Sequence, residues 1–107
     1  MRFEIVLAPQ AIRGLKTLPR ASEVGVREAI ELHLRHEPTK VSRSRIKRLR
    51  GLDRPQYRLR VNEIRVFYDV TEATVEVLAI VSKKQADRWL AEEGIPASPG
   101  GPGEGQG

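Results

Sequence analysis

Cysteine is absent, histidine occurs twice, and no apolar run approaches the roughly 20 residues of a membrane span. Without cysteine there are no disulfides and no thiolate metal sites. His33 and His36 stand three apart and share a helical face, but only Glu37 lies near enough in sequence to be a third ligand. Neither a metal nor a cofactor is therefore expected. The first residues, Met1-Arg2-Phe3-Glu4-Ile5, lack the long apolar segment of a secretion signal. The expectation is a soluble, cytoplasmic protein with no membrane partner.

What the chain has in excess is arginine in one stretch. Lys40 to Arg65 holds ten Lys or Arg residues, eight of them arginine, against only Asp53 and Glu63. That stretch carries about +8 of a total of +5, so the remainder is net acidic. Arginine keeps its charge at any physiological pH and offers a planar fork that matches phosphate oxygens. A one-sided stripe of this kind points to a polyanion or an acidic protein partner rather than to a solvated surface alone.

The 107 residues have room for one domain. Met1–Leu7 alternates, with Phe3, Ile5 and Leu7 on one side, and reads as a strand. Ala8, Ala11, Ile12, Leu15 and Leu18 then recur at helical spacing behind Pro9, which suits a first helical turn, and Pro19 ends that helix. A second helix is expected from Ser22 to His36, with Val26, Ala29, Ile30 and Leu34 on its apolar side and Pro38 as its stop. Short alternating segments follow around Arg45–Arg50, Gln56–Val61, Ile64–Val70 and Thr74–Ser82, and Lys84–Glu92 reads as a last helix anchored by Trp89. Residues 1–93 form the predicted domain. Residues 94–107 are almost wholly Pro, Gly and small or polar residues, and are expected to be a disordered tail.

Register sharpens the reading. A hairpin turning at Asn62-Glu63 sets Leu59 opposite Val66, Tyr57 opposite Tyr68 and Val61 opposite Ile64 on the core side. The other face then carries Arg60 opposite Arg65 and Arg58 opposite Phe67. The next hairpin, turning at Glu72-Ala73, is expected to put Val75, Val77, Ala79 and Val81 in the core, with Glu76, Leu78, Ile80 and Ser82 opposite. Asp69 and Glu76 face each other beside the basic residues; pairing with arginines is the favoured expectation, and a proton acceptor with a raised pKa is the alternative. Two arginines directly opposed on one sheet face oppose folding. A bound polyanion would offset that repulsion, which makes this pair the leading functional signal.

Three segments in this order, Ile46-Lys47-Arg48-Leu49-Arg50-Gly51, Tyr57-Arg58-Leu59-Arg60-Val61 and Arg65-Val66-Phe67-Tyr68-Asp69-Val70, resemble the RelE/ParE toxin superfamily over residues 1 to about 90. The resemblance implies an α+β domain: an N-terminal strand and a helix hairpin packed on a twisted antiparallel sheet, with a short C-terminal helix. It implies a toxin held by a cognate antitoxin. The RNA-cutting members act on ribosome-bound mRNA, without metal, by attack of a ribose 2′-hydroxyl on the neighbouring phosphate, and so inhibit translation. Carried over by motif, the catalytic set is Arg58, Arg60, Arg65 and Lys84, and the RNA-binding set is Lys47, Arg48, Arg50, Phe67 and Lys83. One departure stands out. RelE has a tyrosine near its C-terminus that takes part in proton transfer, whereas this chain reads Ala86-Asp87-Arg88-Trp89-Leu90 there. That leaves the general base open, and with it the alternative of a ParE-like inhibitor of DNA gyrase that cuts nothing.

Overall fold

A computed structural model describes residues 1–97. In chain order the elements are β1 (Glu4–Leu7), α1 (Pro9–Lys16), α2 (Arg20–Leu34), β2 (Ile46–Arg48), β3 (Leu52–Arg54), β4 (Tyr57–Val61), β5 (Ile64–Val70), β6 (Thr74–Ser82), α3 (Lys83–Glu93) and β7 (Ile95–Pro96). The expected strand, helix hairpin, strands and final helix are all present. β3 and β7 are additions, pairing with each other as a separate two-stranded ladder. Ile95–Pro96 falls within the stretch read as a tail. The rest of that stretch, 98–107, lies outside the described residues.

The main sheet has the order β1-β6-β5-β4-β2. It is mixed rather than wholly antiparallel, because β1 joins β6 in parallel, with Leu7 beside Val77. Most of the chain separates these two strands, so no tight hairpin dictates their relative direction. The Ala8 amide extends the ladder by donating to the Val77 carbonyl at 2.9 Å. Pro9 has no N–H to continue it and opens α1, which packs on β6. Contact is close enough that a Cβ on Gly14 would sit 2.2 Å from the Ile80 carbonyl oxygen. Only glycine fits there without a backbone shift.

One face of the sheet carries the main core. Ala11 and Leu15 of α1 and Val26, Ile30 and Leu34 of α2 pack with Leu59, Val66, Tyr68, Val75, Val77 and Ile80. The α2 residues recur every four positions, the spacing that lines one helical face. Tyr68 is fully buried, stacks on Tyr57 with ring centroids 5.5 Å apart, and donates its hydroxyl to the Pro38 carbonyl at 2.6 Å. That bond ties the end of the helix hairpin to the middle of the sheet. Burial pushes the Tyr68 phenol pKa well up, so it stays a donor.

The β4–β5 register is the predicted one, with Arg60 opposite Arg65 and Arg58 opposite Phe67. Asn62 takes the left-handed conformation (φ 53°) that the tight turn needs. In β6 the strict alternation fails. Phe67 pairs with Ala79 and Tyr68 with Val77, which leaves Leu78 as the extra residue of a β-bulge. Everything beyond it changes face. Ile80 joins Val75 and Val77 in the main core, while Ala79 and Val81 move to the face of Phe67 and Arg65. The expected core positions of Ala79 and Val81 are thus corrected by one inserted residue.

Candidate nucleic-acid interface

The second face of the sheet is divided along its length. α3 covers its middle. Trp89 lies flat on Phe67, centroids 5.0 Å apart and planes within 8°, and Ala86 is buried. Ser82 starts this helix by accepting the Gln85 amide on its hydroxyl, and the Lys83 amide donates to the Glu63 carbonyl at 2.7 Å. The helix therefore begins beside the β4–β5 turn, and Lys83 and Lys84, both exposed, stand at that end.

Toward the Val70 end of β5 the face is ion-paired, with one arginine between two carboxylates. Arg54 bridges the facing carboxylates, 2.9 Å from Asp69 and 2.8 Å from Glu76, as the pairing expectation had it. Asp69 also accepts the Gln56 amide at 2.7 Å. Burial raises the Asp69 pKa despite that amide and Arg54. A cleft of about 420 Å³ opens nearby, bordered by Arg54, Glu76, Leu78 and Trp89. It is the roomier cavity; of the two arginines that line it, Arg54 is paired with the carboxylates and, among the described residues, Arg13 is not.

Toward the β4–β5 turn the face is rich in arginine, and Glu63, the carboxylate in the turn itself, pairs with none of it. Lys47 pairs with Arg58 across β2 and β4, and Arg58 with Phe67, so these three share one row. The next row holds Arg60 and Arg65. Among the described residues none of Lys47, Arg58, Arg60 and Arg65 forms an ion pair. Arg65 is only 8% exposed, and its Nη1 donates to the Asn62 carbonyl at 2.8 Å and the Ile64 carbonyl at 3.1 Å. The left-handed turn at Asn62 thus presents a carbonyl that holds the guanidinium still. Arg58 is partly buried, and its Nε is shielded from solvent with no hydrogen-bond partner. Burial, then Arg65, then Arg60, lowers its pKa below the ordinary arginine value. An arginine stays charged under such a shift. The result is a preformed cationic surface whose internal repulsion an anion would relieve.

The remaining site expectations divide. Lys47 joins the cluster. Arg48, its neighbour in β2, points the other way, lying over the Tyr57 ring at 5.2 Å and donating to the Gln56 carbonyl at 2.8 Å. Period-two alternation already forbade both from sharing a face. Arg50 is exposed in the loop beyond β2, outside the two rows. Phe67 is a correction. It is 0% exposed beneath Trp89 and is unavailable to stack on a base. Sequence reasoning placed it on the right face and missed that α3 covers that face. It also passed over Arg45, whose carbonyl accepts the Arg60 amide at 2.9 Å and so extends the arginine row by one strand. Carrying the register one residue past Ile46 would have found it.

No protein-family model matches the chain, and no curated protein matches it either. Solved structures do. The chain is similar to a chain of the RelBE2 toxin–antitoxin complex of Mycobacterium tuberculosis, with 24% identity, TM-score 0.62, and 77% of this chain and 99% of that one covered. It is similar to a chain of the archaeal RelE–RelB complex of Pyrococcus horikoshii at 20% identity and TM-score 0.56, covering 78% and 97%. It is also similar to the Staphylococcus aureus YoeB dimer at 18% identity and TM-score 0.58, covering 76% and 97%. The domain has the α+β fold of these RelE and YoeB structures.

Proposed function

We propose that this domain is the toxin of a type II toxin–antitoxin pair and that it cuts ribosome-bound mRNA through the face carrying Arg58, Arg60 and Arg65. The observation that carries the reading is the arginine cluster itself: three guanidinium groups on two adjacent strands, none paired with a carboxylate among the described residues, one with a buried and unmet N–H. The fold shared with RelE and YoeB structures supports it, and relatives solved as toxin–antitoxin complexes support a cognate antitoxin as partner.

In the proposed reaction a ribose 2′-hydroxyl oxygen bonds to the adjacent phosphorus while the bond to the 5′-oxygen breaks. The products are a 2′,3′-cyclic phosphate and a 5′-hydroxyl. Negative charge grows on the non-bridging oxygens, and arginines already fixed around that position stabilise it with little reorganisation. Arg65, held by the turn carbonyls, is the least mobile of the three. Arg58, partly buried and with its Nε lacking a partner, has its charge least satisfied within the domain. Neither takes the 2′-hydroxyl proton, because arginine does not deprotonate at working pH; that proton leaves to water, and the departing 5′-oxygen takes one from water. The set acts on charge. Lys83 and Lys84 add further positive potential at the start of α3.

Arg60 separates this role from a structural one. It is exposed, opposes Arg65 and has no described ion-pair partner. Changing Arg60→Gln removes a repulsion worth roughly 0.2–1 kcal/mol, so the melting temperature should hold or rise slightly. Losing one charge-assisted contact to the reacting phosphate, worth about 1.5–3 kcal/mol, should slow single-turnover cleavage by roughly 10- to 150-fold. A destabilised but fully active variant would make Arg60 structural and move the active face elsewhere.

A further inference from the structure

We infer that Arg45 and Ser44 form, with Arg60 and Asn62, a second phosphate subsite beside the reacting one, so that the domain grips consecutive phosphates of a single RNA strand. The inference rests on the reading above and extends it from the scissile phosphate to its neighbour.

Its physical basis is a built loop. Ser42 folds the chain back before β2: its hydroxyl accepts the Arg45 amide at 3.0 Å and the Ile46 amide at 3.1 Å, and its own amide donates to the Ile46 carbonyl at 3.0 Å. The Arg45 carbonyl is then clamped to β4 by the Arg60 amide at 2.9 Å. Three arginines consequently stand in one row across three neighbouring strands, Arg45, Arg60 and Arg65. At the usual strand separation of about 4.8 Å, the outer two strands lie about 10 Å apart. A single phosphate does not fill that span. Between the first two arginines lies a cavity of about 170 Å³ lined by Ser44, Arg45, Arg60 and Asn62. Its walls are hydroxyl, amide and guanidinium, with no carboxylate and no large apolar side chain. That chemistry suits a phosphodiester and gives a base nothing to stack on. The Arg45 charge is felt on the helix side as well, where burial first and Arg45 second hold the His33 pKa below the ordinary histidine value.

The test uses the full chain and 2′-O-methyl oligoribonucleotides, which bind but offer no attacking hydroxyl. Affinities for a dinucleotide and a hexanucleotide are measured by fluorescence anisotropy across a series of salt concentrations, starting at low ionic strength. The wild-type protein should prefer the longer strand. Arg45→Gln should lose most of that preference and lower the slope of log affinity against log salt by about 0.7, the value for one phosphate contact on a single strand. Arg45→Lys should restore most of the slope, because the charge returns. Arg45 is exposed and only its backbone is tied, so a melting curve should show all three proteins equally folded. An Arg45→Gln protein that keeps both slope and length preference overturns the second subsite and leaves the cleavage reading intact. Wild-type protein with no salt-dependent affinity for either strand overturns both.

Discussion

Arg58→Gln should slow single-turnover cleavage of ribosome-bound mRNA by about 10²–10³-fold, while the folded domain becomes no less stable. The two halves share one cause. Arg58 stands opposite Phe67 and within reach of the charges of Arg65 and Arg60, is partly withdrawn from water, and its Nε meets no acceptor. In the free protein that is an unfavourable arrangement, held in place by the strand pairing around it. Glutamine keeps part of the aliphatic stem, removes the like-charge repulsion, and should raise the melting temperature by up to a few degrees. In the transition state the same guanidinium meets growing negative charge at a poorly hydrated position, where such an interaction is strong. Arg58→Lys restores the charge but not the planar fork, and should recover only part of the rate. Melting curves and cleavage rates from one preparation decide it. A variant that loses stability and activity in proportion would make Arg58 a structural residue.

Phe67→Ala should destabilise the domain by about 3–5 kcal/mol, the range for removing a buried large aromatic side chain. Small domains have only about 5–15 kcal/mol in total. The side chain is fully buried and supplies the surface on which Trp89 lies. Removing it takes away the seat of α3, and with it the fixed position of Lys83 and Lys84. Trp89 is the only tryptophan in the chain, so its emission reports the loss directly as a shift to longer wavelength. Phe67→Leu keeps most of the volume and loses the aromatic contact, for a decrease of about 1 kcal/mol. Urea unfolding followed by tryptophan emission measures both. Unchanged stability and emission with weakened RNA binding would return Phe67 to the surface role that the sequence suggested for it.

The legible and illegible parts of this chain differ for physical reasons. Period-two alternation and the Asn62-Glu63 turn fix the β4–β5 register, so Arg60 opposite Arg65 was readable from spacing alone. The helix hairpin was readable from Val26, Ile30 and Leu34 and from the prolines at 9, 19 and 38. The bulge at Leu78 was not, because an extra residue in a strand rich in Val, Leu and Ile leaves no compositional trace, and every face assigned beyond it inverted. Burial of Phe67 depends on where α3 docks, a long-range contact that strand periodicity cannot encode. β3 and β7 are three and two residues long, too short to carry a pattern. The direction of β1 depends on a partner strand some 70 positions away, between Glu4 and Thr74. In the site, alternation should have separated Lys47 from Arg48, and the unbroken register should have added Arg45. The anchoring of Arg65 by turn carbonyls depends on the side-chain rotamer, which residue spacing does not encode.

The central claim is that the arginine face cuts RNA by 2′-hydroxyl attack, and the nature of the cut ends tests it most directly. The purified protein is added to ribosomes programmed with a defined mRNA, and both new termini are identified. The prediction is a 2′,3′-cyclic phosphate (or the 3′-phosphate it hydrolyses to) on the upstream fragment and a 5′-hydroxyl on the downstream one. A single 2′-deoxy substitution at the cleaved position should abolish the cut. Intact mRNA on the ribosome, together with inhibition of DNA supercoiling by gyrase, would contradict the account and assign this face to a protein target.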